Sequence, residues 1–179
     1  MRKTLIIILA MLFLGVFIVI FTIVIGFDED PGREIPGDAG EPEEQLEDMG
    51  GNPWVLDIET ATVANRNYRI ARWSGEYMQM VLMSLQPGEA IDLEIHEDHD
   101  QFMRIEQGQA QILMGETEDE PTFDENVTAG WAVFIPAGYW HEVRNFGDDV
   151  LKLYTIYAPS EHPEGTVHPS YDEAAGYEH

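Results

Sequence analysis

Short apolar-rich runs separated by turn residues dominate the sequence between residues 54 and 160. Turn signals such as Pro87-Gly88 and Ala137-Gly138 punctuate the runs, and no segment there has a convincing helical stripe. Regular spacing of this kind is typical of an all-β sandwich or barrel, which about a hundred residues can close around a buried core. The pattern predicts eight strands, over 68–73, 78–85, 90–96, 101–106, 109–114, 131–135, 140–146 and 150–158.

The absence of cysteine limits both how such a domain is stabilised and what chemistry it can perform. Disulfide bonds, thiolate nucleophiles and cysteine-type zinc sites are all excluded. An ordered domain must therefore rest on its hydrophobic core, and its chemistry is left to His, Asp, Glu, Gln and hydroxyl groups.

The charge of the chain is strongly negative, with 34 acidic and 9 basic side chains and a net charge of -25. Nucleic-acid binding is excluded as a function, because it requires clustered Lys and Arg. Lys3 and Lys152 are the only lysines, and an acid-rich, lysine-poor surface is typical of a halophilic protein. The alternative is an ordinary acidic extracytoplasmic domain, and under either interpretation the acidic run 116–125 is expected to be a solvated loop.

The N-terminal segment predicts a membrane anchor over residues 1–27. Residues 5–27 contain no charge and only Thr22 as a polar residue, and as a helix they would span about 34 Å, enough to cross a bilayer. Arg2 and Lys3 precede the segment and acids follow it, which orients the rest of the chain outside the cell membrane. A cleaved signal peptide is the alternative, although the apolar run is long for one.

Two further segments flank the predicted barrel domain of residues 54–160. Residues 28–53 hold ten acids and a single base, Arg33, with repeated glycine and proline, which predicts a disordered acidic linker. Residues 161–179 form a C-terminal tail without clear periodicity, which is expected to wrap the barrel or to fray.

Two segments carry a specific motif pattern. The later segment has Gly130, five residues, Pro136-x-Gly138, two residues, His141, three residues and Asn145. This pattern matches the second motif of the cupin superfamily at every defined position, so the chain resembles cupins. An all-β cupin jelly roll is the fold that this resemblance implies.

The earlier segment matches the first cupin motif in spacing but departs from it in two residues. It reads Gly88, five residues, Glu94-x-His96, four residues, Gln101, six residues and Gly108. Glu94 stands where that motif has its first histidine, and Gln101 stands where it has glutamate. The stretches 100–106, 151–154 and 161–168 resemble small single-domain cupins often named by likeness to mannose-6-phosphate isomerase.

Part of a site can be inferred from the residues themselves, independently of the cupin resemblance. Side chains two apart on a strand share a face, so Glu94 and His96 point to the same side of their sheet. His141 lies on a later strand, and the sequence alone does not bring it to His96.

The resemblance implies that Glu94, His96, Gln101 and His141 surround a divalent transition metal: iron, manganese, nickel or zinc. Two imidazoles and one carboxylate form a minimal set for such a metal, and Gln101 either ligates it or holds a ligated water. The alternative is a metal-free barrel with a buried Glu–His pair. Tyr139 and Trp140, beside His141, are expected to contact a ligand at the lip of the pocket or simply to pack.

Several other positions are expected to lie at the surface. Simple alternation places His99 on the face opposite to His96, in solvent, unless a turn at Glu97-Asp98 swings it inward. His162 and His168 are predicted to be surface histidines. Asn126-Val127-Thr128 is a glycosylation sequon, which is expected in an outward-facing loop.

Two functions from different classes follow. The first is a membrane-tethered binding module whose barrel holds a small polar organic ligand beside the metal. The second is a metal-dependent enzyme of dioxygenase or isomerase type, acting on a small organic substrate. Likeness to small cupins also implies a possible homodimer.

The acid excess generates a first prediction. The 54–179 fragment should gain stability as salt rises from low to molar concentration, because screening weakens repulsion among its carboxylates. The unfolding midpoint measured across that range checks this. A midpoint insensitive to salt would remove the halophilic interpretation.

Overall fold

The computed structural model describes residues 47–175, which form two antiparallel β-sheets and two short helices. Helix α1 begins where the Asp57 side chain accepts a hydrogen bond from the Thr60 N–H and so caps the helix. The elements in chain order are α1 (Ile58–Ala64), β1 (Arg69–Ser74), β2 (Gln79–Leu85), β3 (Ala90–Ile95), β4 (Asp100–Gln107), β5 (Gln109–Gly115), β6 (Phe123–Thr128), β7 (Ala132–Ile135), β8 (Trp140–Arg144), β9 (Leu151–Ala158), β10 (Val167–His168) and α2 (Tyr171–Ala175).

The sheet order shows a jelly roll. The larger sheet runs β10-β1-β2-β9-β4-β7, and the smaller one runs β3-β8-β5-β6. Most neighbours are distant in sequence: β9, for example, pairs with both β2 and β4. Apolar residues from both sheets form one buried cluster, to which Met83, Ile112, Val143 and Leu153 belong.

All eight predicted segments form strands, and the all-β class is confirmed. The sequence analysis did not predict two of the strands, β6 and β10. β6 lies partly in the predicted solvated loop and is exposed except at Val127, so it lacks the alternation of a half-buried strand. The sequon residue Asn126 therefore lies on this strand, opposite Gln111, and not in a loop. β10 has only two residues.

The predicted membrane segment lies outside residues 47–175, as does most of the predicted linker. Within those residues, no helix is long and apolar enough to cross a membrane. The last linker residues contact the barrel: the Met49 N–H donates to the Arg72 carbonyl, and the Asp48 carboxylate accepts from the Ser74 hydroxyl.

Two motif glycines have the same backbone conformation but different surroundings. Gly108, between β4 and β5, and Gly130, before β7, both have φ of 86°. A Cβ atom on Gly108 would lie 3.0 Å from the Leu151 Cα and the Val150 carbonyl oxygen, whereas a Cβ on Gly130 would meet nothing within 4 Å. Left-handed backbone explains both glycines, and close packing against β9 adds a second requirement at Gly108.

This difference predicts the outcome of a matched pair of substitutions. Gly108→Ala and Gly130→Ala should both lower the free energy of unfolding by about 1–2 kcal/mol through backbone strain. Gly108→Ala should lower it by about 1 kcal/mol more, because the β9 backbone must shift. Urea unfolding of both variants measures the difference, and equal losses would contradict the packing requirement at Gly108.

Candidate metal centre

The pairing of β3 with β8 places Glu94 directly opposite His141. Ile91 pairs with Val143 and Glu94 with His141, so three steps on β3 match two on β8, which is a one-residue bulge. The bulge reverses the alternation of β3. Ile91 faces the core, and beyond the bulge Glu94 faces it as well, while Leu93 is exposed.

Glu94, His96 and His141 converge as the sequence hypothesis requires. The Glu94 Oε1 atom lies 3.2 Å from His141 Nε2 and 3.4 Å from His96 Nε2. One ligand atom of each residue lies within 4.8 Å of the others. These three residues are called the triad below.

The turn of the second motif positions the triad through the backbone. The Gly138 N–H donates to the His96 carbonyl oxygen at 2.8 Å, and the Ala137 N–H donates to the Asp100 carboxylate at 2.9 Å. The turn before β8 is thereby joined to the loop that carries His96.

A backbone carbonyl orients the imidazole of His141, which is fully buried. Its Nδ1 atom lies 3.1 Å from the Tyr139 carbonyl oxygen. A carbonyl oxygen only accepts hydrogen bonds, so Nδ1 carries a proton and Nε2 is the atom that faces Glu94. Histidines that bind metals are commonly held in this way, with the second ring nitrogen fixed by a backbone or carboxylate acceptor.

The triad is electrostatically coupled. Burial raises the pKa of the Glu94 carboxyl, but hydrogen bonds from His141 and His96 outweigh burial and hold the pKa well below its usual value. Burial lowers the pKa of His96, but its hydrogen bond to Glu94 and that carboxylate's charge raise it above the usual value. Glu94 is therefore an anion, available to a cation, inside the barrel.

Gln101 lies on β4 and is buried. Its Nε2 donates to the Thr155 hydroxyl at 3.0 Å, and that hydroxyl donates to the Phe102 carbonyl oxygen at 3.1 Å. The amide is thereby fixed in one orientation. Among the described residues its Oε1 atom has no hydrogen-bond partner, which suits a water or metal ligand that completes the site.

His99 is buried, so the prediction of a solvated position is wrong. Its ring stacks on that of His96 with centroids 4.5 Å apart, and its side chain is only 4% exposed. β3 ends at Ile95, so strand alternation no longer applies beyond it and the following turn swings His99 inward, as the open alternative allowed.

Glu161 is a residue of this region that the sequence reasoning missed. Its Oε2 atom lies 3.2 Å from His99 Nε2 and 3.6 Å from His96 Nδ1. His96, His99 and Glu161 thus form a second group with ligand atoms within 4.8 Å of one another. The stretch that resembles small cupins contains Glu161, but no spacing rule connected it to the first motif.

The segment after β9 is held against the barrel, and its histidines are buried, contrary to the surface prediction. The Gln79 amide donates to the His162 carbonyl oxygen at 2.8 Å and accepts from the His162 N–H at 3.0 Å. His168 belongs to β10 and is buried opposite Arg69. A two-residue strand and a side-chain clamp leave no periodic signal in the sequence.

Tyr157 packs against the histidines. Its ring makes edge contacts with those of His96, His99 and His162, at centroid distances of 5.6, 6.0 and 5.3 Å. Burial, followed by the charge of Glu94, raises the pKa of Tyr157 far above its usual value. The phenol therefore remains protonated.

The side chains of Tyr139 and Trp140 make no recognised contact with the triad among the described residues, although the Tyr139 backbone carbonyl holds His141. Trp140 points to the face of β8 opposite to His141 and lines an outer cavity of about 180 Å³ together with Leu93, Leu113 and Glu142. The Tyr139 hydroxyl donates to the Glu116 carboxylate at 3.2 Å. Their role in ligand binding stays a prediction. The Trp140 side chain lies on the opposite face of β8 from the imidazole of His141.

The donor set fits a divalent transition metal. Two imidazole nitrogens and a carboxylate that is already ionised suit iron, manganese, nickel or zinc. The set does not distinguish among them.

Comparison with known proteins agrees with this fold. A family model described as "Cupin domain" matches residues 81–157. The protein YrkC of Bacillus subtilis is 48% identical over 133 residues, which are 74% of this chain and 72% of YrkC. The L612 protein of Acanthamoeba polyphaga mimivirus is 43% identical over 115 residues, or 64% of this chain and 70% of L612.

A crystal structure of BH2720 from Bacillus halodurans has the same fold, with a TM-score of 0.73 and 48% identity over 74% of this chain and 100% of BH2720. Two antiparallel sheets in jelly-roll order, both sequence motifs and these relatives lead to one conclusion. The chain belongs to the cupin superfamily.

Proposed function

We propose that this chain is a cupin that binds a divalent metal through Glu94, His96 and His141 and holds a small polar organic ligand beside it. The observation that carries this proposal is the convergence of the triad on a buried carboxylate whose pKa is held low. Burying an anion next to two imidazoles is expensive unless a cation or hydrogen bonds compensate it. Hydrogen bonds from His141 and His96 compensate the Glu94 anion in the metal-free protein, and a divalent metal held by the same three side chains would do so instead.

Each residue has a distinct part in this function. Glu94 supplies the negative charge, and His96 and His141 supply nitrogen ligands. The Tyr139 carbonyl holds the tautomer of His141, and the fixed amide of Gln101 presents its free Oε1 atom to a water or to the ligand. A bound metal would act there as a Lewis acid.

We further propose that residues 5–27 tether the domain to the cell membrane, with the barrel outside. Their length, lack of charge and flanking charges support this location. The acidic domain disfavours a sugar phosphate as the ligand in that compartment, because residues 54–179 hold 24 acids and only six lysines and arginines.

Metal analysis tests the triad directly. The full-length chain should retain about one equivalent of a divalent metal per chain, and His141→Ala should weaken binding about 100-fold or more, because a first ligand matters at least as much as its supporting partners. Glu142→Gln is the matched control. Glu142 is the next residue on β8 but points outward and pairs with Arg144, so its substitution should leave the metal content unchanged.

Purified protein is analysed for metal as isolated and after it has been offered iron, manganese, nickel and zinc. A wild-type chain that takes up none of the four metals contradicts the proposal. Equal metal loss in His141→Ala and Glu142→Gln would also contradict it, because the loss would then not depend on the triad.

A further inference from the structure

Arg69 is a buried cation in the barrel interior. It lies on β1, and its side chain is 4% exposed. Ala71, two residues further along the strand, belongs to the core cluster, and the irregularity in the β1–β2 register begins only after Ala71. Residues two apart share a face, so Arg69 points into the space between the sheets, beside His168 of β10.

Within the described part of the chain, the guanidinium group of Arg69 has no carboxylate partner of the kind that a buried cation requires. Its Nε atom has no hydrogen-bond partner among the described residues, and the ion pairs found within residues 47–175 do not include it. The guanidinium carbon lies 5.6 Å from the centroid of the Tyr68 ring.

Two other arginines of the domain show the contrast. Arg104 pairs with Glu106 at 3.3 Å, and Arg144 pairs with Glu142, both near the surface. The chain has 34 acids, yet the buried Arg69 forms no ion pair within residues 47–175, whereas the more exposed Arg104 and Arg144 each pair with a carboxylate. An unpaired buried charge is strongly destabilising, so its presence indicates a ligand that completes it.

The position of Arg69 connects it to the candidate metal centre. Burial dominates the raised pKa of Tyr157, and the charge of Arg69 acts in the opposite direction. The same charge opposes protonation of His96, after the larger effects of burial, Glu94 and Glu161. Arg69 therefore acts electrostatically on residues of the site.

We propose that Arg69 is the anion-binding subsite of the barrel and that the bound organic ligand carries a carboxylate. The guanidinium fork matches a carboxylate in shape and binds it by two parallel hydrogen bonds. A single arginine balances a single negative charge. The carboxylates of Glu94 and Glu161, which contact His96 and whose charges act on it together with that of Arg69, disfavour a more highly charged group such as phosphate. This subsite deepens the proposed function and rests on it for the neighbouring metal.

A ligand-binding role and a structural role for Arg69 predict opposite effects on stability. If Arg69 serves a ligand, Arg69→Met removes an unpaired buried charge, and the ligand-free protein should unfold at the same or a higher temperature. If Arg69 instead compensates Glu94 and Glu161, the same substitution should lower the unfolding temperature.

The experiment uses the full-length, zinc-loaded chain, with acetate as probe and acetamide as its neutral counterpart at constant ionic strength. Acetate should raise the unfolding midpoint of the wild type, and acetamide should not. Arg69→Met should weaken the response to acetate about tenfold or more and leave the zinc content unchanged. Arg69→Lys keeps the positive charge but lacks the forked guanidinium geometry, so acetate should stabilise it less than the wild type. Arg104→Met is the control, and acetate should stabilise it as much as the wild type.

Several outcomes overturn the subsite. If acetate and acetamide shift the unfolding midpoint of the wild type equally, the anion subsite is refuted. This outcome does not depend on whether Arg69→Met folds. A less stable Arg69→Met that still binds acetate would assign Arg69 a structural role. By contrast, a wild-type chain that takes up no zinc but binds acetate through Arg69 would refute the metal centre and support the anion subsite.

Discussion

The bulge in β3 is the constraint on which the candidate site depends. Without the extra residue between Ile91 and Glu94, strand alternation would turn Leu93 inward and Glu94 to solvent. With it, the carboxylate meets His141 across the β3–β8 pair, and His96 follows on the same side. A local irregularity in one strand thus brings a carboxylate and two imidazoles from antiparallel neighbours into one cluster.

The barrel interior holds charges of both signs, and they are paired differently from those on the surface. The chain is acidic as a whole, and its exposed arginines Arg104 and Arg144 are paired with carboxylates. Inside, Glu94 is compensated by imidazoles, while Arg69 forms no ion pair within residues 47–175. Charges that folding alone would avoid are gathered in one interior region, which is the arrangement expected of a binding site.

The segment after β9 completes that region although it lies outside both motifs. The Gln79 amide clamps the backbone at His162, and β10 adds a strand beside Arg69. Glu161 is held against His96 and His99 as a result. The barrel interior is therefore lined by the first strand of the domain and by the segment after β9, in addition to the two motif strands.

The sequence by itself determined the eight main strands, the cupin resemblance and the shared face of Glu94 and His96, because hydrophobic alternation, turn residues and motif spacing are local properties. Only the tertiary structure decided that His141 meets Glu94, since that contact is set by pairing between distant strands. It also decided that His99 and the half-buried Glu161 lie against each other, and that Arg69 faces inward without an ion pair to any residue of 47–175. The sequence did not predict the edge strand β6 or the two-residue β10, for the same reason. Both are stabilised by pairing with neighbouring strands and have little hydrophobic pattern of their own.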